Sequence, residues 1–212
     1  MKVELAYGRG ALPVDVPDGR STVIEPEYVP GLPDERAAIR AALRKPLGSP
    51  PLREIVRPGH RVTISICDIT RPMPSDIVLP VLLEELSTVP RLQVTILVAT
   101  GTHRGNTPEE LDRMLGVEVA RSYRVVNHNA LDKGTLRYAG QSPQGVPIWL
   151  ASEWLDADVR ITTGFVEPHM FAGYSGGPKL VAPGVAGLDT VMELHSYSML
   201  DSPKAIWGVT ED

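Results

Sequence analysis

Residues Gln93–Val98 read QVTILV, a near-continuous apolar run that suits a strand buried on both faces. Upstream, Arg61–Ile66 (RVTISI) alternates with strong β-branched content and reads as a second strand. Tyr123–Val126 and Asp158–Thr163 (DVRITT) supply two more. Helical patterns stand between them. Ser75–Leu86 (SDIVLPVLLEEL) is expected to be capped by Ser75, with Pro80 predicting a kink or a late start. Thr107–Leu115 (TPEELDRML) carries a capping Thr, Pro at the first helical position and Glu at the third. Pro33–Arg44 reads as a helix with Asp34 near its start, and Asp189–His195 begins a final one. Strands alternating with helices imply βαβ units, so the class is α/β with a mostly parallel sheet flanked by helices. Lys2–Tyr7 and Ser21–Glu25 read as short β pieces, and Thr135–Ala139 with Val146–Leu150 as a hairpin-like excursion.

The 212 residues suffice for one large domain or two small ones. A net charge of -5 without any basic stripe gives no electrostatic footprint for nucleic acid. The single cysteine, Cys67, excludes an intrachain disulfide and points to a reducing compartment. The N-terminus carries charges throughout, and the longest apolar runs, such as Val94–Ala99, are far too short to span a bilayer. The expectation is a cytoplasmic protein with neither a nucleic-acid nor a membrane partner.

In parallel sheets, ligands sit beyond the carboxyl ends of the strands. Asp68 and Arg71 follow the strand ending at Ile66, and His103 follows the one ending at Val98. His128 follows Val126, and His169 follows Thr163. Ionisable residues therefore recur at the edge where chemistry is expected. In Asp68-Ile-Thr-Arg-Pro72, the arginine can grip a carboxylate through two parallel hydrogen bonds while Asp68 holds it, or the two can merely tie the loop. His103 suits general acid–base work near neutral pH, against the plainer reading of a surface-loop histidine. His128 is a weaker candidate for the same role, and His60, between Gly59 and Arg61, reads most simply as a solvated turn residue.

The segment from Phe165 to Lys179, FVEPHMFAGYSGGPK, is the unusual one. Its glycines let backbone amides approach an anion, and Lys179 supplies charge or a nucleophilic amine. It is not a P-loop, because Pro178 stands where that motif needs glycine and Leu180 where it needs Ser or Thr. It is not a dinucleotide fingerprint either, since no G-x-G-x-x-G lies between a strand and a helix. His195 has no neighbouring His or Cys to build a metal site locally, so a packing role in a helix is the plainer reading of it alone. On these residues, an anion-binding module and a lysine-dependent enzyme both stay open.

Taken in order, DITRP at Asp68–Pro72, GTHR at Gly101–Arg104, PHMFAGYSGGPK at Pro168–Lys179, PGV at Pro183–Val185 and His195 resemble the nickel-dependent lactate racemase family. The resemblance implies a cofactor-binding N-terminal domain over residues 1–212. The family is about twice this length, so the second domain that closes the cleft is expected to be missing, and the site to be completed by it or by another copy of the chain. The implied activity is racemisation or epimerisation of a 2-hydroxy acid by hydride transfer through a nickel pincer nucleotide. By the same resemblance Lys179 can hold the cofactor covalently, and His195 ligates nickel. His103 and His169 are the paired acid/base groups. Asp68, Thr70 and Arg71 line the substrate or cofactor pocket, and Gly176 and Gly177 bring the cofactor close to the backbone.

Overall fold

The computed structural model describes residues 1–8 and 10–210. They fall into two units, Met1–Pro33 and the chain from Asp34 onward. In the first, β1 (Lys2–Tyr7) pairs antiparallel with β2 (Gly10–Asp15), setting Lys2 opposite Asp15 and Tyr7 opposite Gly10. The Met1 ammonium donates to Val16 O at 2.9 Å and to Asp18 at 2.5 Å. Ser21–Glu25, expected as a strand, forms none. β-branched content makes a strand only where a neighbour takes up the backbone groups, and here Ile24 stands 89% exposed.

The second unit begins with α1 (Glu35–Arg44), whose first turn is capped by Asp34 accepting from Ala37 N at 2.8 Å. After α2 (Leu52–Ile55) come β3 (Arg61–Cys67), α3 (Ser75–Ser87), β4 (Gln93–Ala99), α4 (Pro108–Leu115), α5 (Val117–Ser122) and β5 (Arg124–Asn127). An antiparallel pair, β6 (Leu136–Gln141) and β7 (Pro147–Ala151), precedes α6 (Ser152–Leu155) and β8 (Val159–Thr163). The four central strands are all parallel, in the order β5-β4-β3-β8.

Register explains why QVTILV carries so few polar residues. Ile64 lies opposite both Ile96 and Ile161, so alternate residues of three strands share one face. On that face Val62, Ile64, Ile66, Ile96 and Val98 pack against Leu79, Leu82, Leu83 and Leu86 of α3, with Leu115 and Val119 beside them. The intervening Leu97 points to the other face, where Leu150, Trp154, Val185 and Val191 cover it. The sheet is buried on both sides.

Thr107 and Glu110 form the expected capping box at α4. Ser75, by contrast, is not the cap of α3. Pro74 holds that position without a side-chain bond, and Ser75 is buried in the first turn with its N–H already given to Met73 O. Pro80 neither delays nor ends the helix, because the flanking leucines are anchored in the core. The helix at Leu188–Leu194 (α7) is not the final element, since α8 (Tyr197–Leu200) follows it.

His128 is a strut between the sheet edge and the second core. It is buried, donates Nε2–H to Ala186 O at 2.8 Å, and its own carbonyl accepts from Thr100 Oγ1 at 2.7 Å. Burial holds the imidazole below its ordinary pKa, with the bond to Ala186 opposing. The folded value lies below the unfolded one, so unfolding takes up a proton. Stability from neutral His128 is complete above about pH 6.5 and declines as pH falls below that value. Calorimetry across this range should show a steeper acid loss of Tm for the native chain than for His128→Gln; parallel slopes would refute the assignment. Leu97→Ala should cost about 3 kcal/mol in denaturant unfolding, since it opens a cavity on the second face of the sheet.

Candidate active site

Because β3, β4, β5 and β8 run the same way, the loops that follow them gather at one edge. Residues from the ends of β3 and β4, from the loops after them and from the segment beyond β8 line a cavity of about 250 Å³, among them Asp68, Arg71, His103, His169, Lys179 and His195. Its floor is tied to the sheet by Ser65, whose buried hydroxyl donates to Leu180 O at 2.9 Å.

Asp68 leaves the end of β3 and is buried. Its Oδ2 accepts from His103 Nδ1 at 2.8 Å, and its Oδ1 accepts from the Thr70 hydroxyl at 2.6 Å. A buried carboxylate is costly unless its oxygens are bonded, and both are. An ionised carboxylate only accepts, so the His103 proton sits on Nδ1 and Nε2 keeps a lone pair. The expected Asp68–Arg71 partnership is not formed. Arg71 instead reaches forward to Glu167, Nε to Oε1 at 3.5 Å, while Asp68 serves His103.

The loop carrying His103 is fastened from its other side. Arg104 donates through both terminal nitrogens to the two Glu110 oxygens, each at 2.7 Å. Glu110 Oε2 also accepts from Thr107 N at 2.9 Å, which closes the capping box. These donors hold the Glu110 carboxyl at about 2, with Arg104 the larger cause.

His169 lies on β9 (Pro168–His169), paired with β10 (Gly173–Tyr174). Ser175 clasps this excursion shut. Its hydroxyl donates to Phe165 O at 2.6 Å and accepts from Glu167 N at 3.2 Å, while its N–H donates to Glu167 O at 2.8 Å. His169 Nδ1 accepts from Ala172 N at 3.3 Å, so the neutral ring carries its proton on Nε2. Partial burial, then the Lys179 and Arg71 charges, hold His169 below its ordinary pKa. Phe171 stands edge-on to both His169 and His195, with centroids 4.8 and 5.1 Å away.

Lys179 sits in a short helical turn, Gly177–Leu180. Burial, then the neighbouring Arg71 guanidinium, lower its pKa. The turn can approach β8 because two glycines face each other: a Cβ on Gly164 would stand 2.8 Å from the Gly176 Cα. Gly176 lines the cavity, whereas Gly177 starts the turn outside that lining. His195 closes α7 and donates Nδ1–H to Val191 O at 2.7 Å, leaving Nε2 available. Among the described residues no three His, Cys, Asp or Glu side chains come together as a metal cluster. Nor is any helix there long and apolar enough to cross a membrane.

Sequence reasoning missed Glu167 and Ser175. Glu167 stood within the quoted motif, but nothing local announces that its partner is Arg71.

Comparisons with known proteins identify the family and the fold. A family model described as the lactate racemase N-terminal domain matches residues 7–208. The lactate racemase of Lactiplantibacillus plantarum is 40% identical over 175 residues, which is 82% of this chain and 41% of that protein. The lactate racemase of Thermoanaerobacterium thermosaccharolyticum is 32% identical over 215 residues, covering 99% of this chain and 50% of that one. The structure of its apoprotein superposes with a TM-score of 0.87 over 99% of this chain and 49% of its own. A Thermotoga maritima protein, 24% identical with a TM-score of 0.70 over 87% of this chain and 46% of its own, shares the fold. The chain thus spans about half the length of the curated relatives it matches. On the match over residues 7–208, it belongs to the lactate racemase N-terminal domain family.

Proposed function

We propose that the chain is the cofactor-binding half of an enzyme that interconverts the enantiomers of lactate or a related 2-hydroxy acid. The observation that carries the reading is a single cavity lined by an Asp68–His103 pair, a second histidine, an arginine and a half-buried lysine. Inversion at one carbon needs proton-handling groups for each hand of the substrate, and the two histidines supply them. Arg71 takes the substrate carboxylate, since of its terminal nitrogens Nη1 makes only long contacts to Thr70, 3.4 and 3.5 Å, and Nη2 makes no hydrogen bond among the described residues. His103 enters with a lone pair on Nε2 and accepts the hydroxyl proton of one enantiomer. The resulting imidazolium is stabilised by the Asp68 carboxylate. His169 serves the other enantiomer, and its lowered pKa keeps it neutral and able to accept a proton near pH 7.

The residues fit a nickel pincer nucleotide, and the solved relative, described as an apoprotein, is in keeping with a removable group. Lys179 offers an amine that makes no hydrogen bond or ion pair among the described residues, suited to covalent attachment. His195 offers one free imidazole nitrogen. Among the described residues His195 has no clustered partner ligands, which suits a metal whose other donors come with the cofactor, as in a pincer. When bound, that group supplies the acceptor and donor for the hydride at the substrate's C2. A second domain, or another copy of the chain, closes the cleft.

Supplied with nickel pincer nucleotide and the second half of the enzyme, the chain should bring the circular dichroism of at least one acid in a panel of pure L- and D-2-hydroxy acids toward zero. No optical change across the panel sinks the racemase reading. In that assembly Asp68→Asn should lower kcat about 100-fold with little change in KM, because it removes the charge that sets the His103 proton. Unchanged kcat would mean that Asp68 only shapes the loop.

A further inference from the structure

Five lysines occur in the sequence, and four of them, Lys2, Lys45, Lys133 and Lys204, are exposed. Lys179 differs from them in its burial and in lining the cavity that holds Arg71 and the two histidines. It is half-buried, it lines a cavity, and among the described residues its amine has no hydrogen bond or ion pair. Its nearest charge influences include the Arg71 guanidinium, which, after burial, disfavours the ammonium form. A lysine desolvated beside another cation is the arrangement that yields a neutral, attacking amine.

The neighbours select what it can attack. Arg71 is held by one contact to Glu167 and leaves its outer nitrogens to a carboxylate. Both Arg71 and Lys179 line the same cavity, with the imidazoles of His103 and His169 beside them. A ligand that satisfies the guanidinium and the amine together bears a carboxylate next to an electrophilic carbonyl carbon. We propose that, when no cofactor occupies its amine, Lys179 forms a reversible imine with 2-oxo acids, Arg71 holding the carboxylate. This goes beyond the racemase reading and needs no nickel. The link between them is that a 2-oxo acid is the oxidised form of the substrate class proposed above.

The step balances without an oxidant or reductant. The amine lone pair forms the C–N bond while the carbonyl pair moves to oxygen, which takes a proton relayed by a cavity imidazole. The carbinolamine then breaks its C–O bond and expels water. Both protons of that water have left the nitrogen, so amine and ketone give imine and water.

The 212-residue chain, free of cofactor, is incubated near neutral pH with pyruvate and cyanoborohydride, and adducts are located by intact mass and peptide mapping. The expected result is one reduced adduct, on Lys179, absent from Lys179→Arg and absent when lactate replaces pyruvate. Pyruvamide, which keeps the ketone but lacks the carboxylate, should require about tenfold higher concentration, the worth of one charge-assisted contact to Arg71. No adduct at Lys179, adducts spread evenly over the five lysines, or equal labelling by pyruvate and pyruvamide would overturn the proposal. The native-chain arms decide the matter even if Lys179→Arg fails to fold. A negative result here leaves the racemase reading standing, and failure of racemisation leaves this one standing.

Discussion

The parallel run of β3, β4, β5 and β8 is the constraint from which the rest follows. Parallel neighbours bring every carboxyl end to the same edge, and each must be followed by a loop before the chain can cross back. Those loops cannot avoid meeting. Asp68 and His103 are 35 positions apart in sequence yet bonded at 2.8 Å because their strands, β3 and β4, lie side by side with Cys67 opposite Ala99. The segment beyond β8 reaches the same place from the other side of β3. The ladder therefore brings the pocket's walls together without needing a polar contact between them, and the sheet that does so is buried on both faces.

On that base the polar groups divide the work. Asp68 is saturated by His103 and Thr70 and so determines which nitrogen of His103 is basic. Glu167 restrains Arg71 without filling its outer nitrogens. Ser175 is consumed entirely by backbone atoms and closes the excursion that presents His169. Lys179 is left with neither restraint nor partner among the described residues, and its partial burial separates it from the four exposed lysines. The two imidazoles also differ, since one donates from Nδ1 to a carboxylate and the other accepts there from an amide.

Much of this was legible in the sequence, and the failures have physical reasons. Apolar runs such as QVTILV announce burial on two faces because few alternatives can hide them. The capping box at Thr107 was readable because both partners lie within one turn of each other. The cavity residues Asp68, Arg71, His103 and His169 were found by the rule of strand ends, and Lys179 and His195 by their motifs. Partnerships were not readable. Arg71 pairs with Glu167 rather than the nearby Asp68, which is already taken by a histidine in the loop after the neighbouring strand. Ser21–Glu25 has strand-forming residues but no neighbour to pair with, and pairing is a property of the whole chain. Ser75 looked like a cap, but a cap must precede the helix, and Pro74 already held that place.

The Arg104–Glu110 clamp has a bearing on the medium in which the protein works. Its guanidinium is two-thirds exposed, and both its bonds are ionic. Acid will not release it, given a carboxyl held at about 2, but mobile ions can compete for it. Exposed charge pairs are screened over about 10 Å at 0.1 M salt and over a few ångströms at 1 M. The Asp68–His103 bond has its carboxylate buried and is shielded far better. Ionic strength is thus a handle on the suppleness of the His103 loop that leaves its hydrogen bond to Asp68 in place.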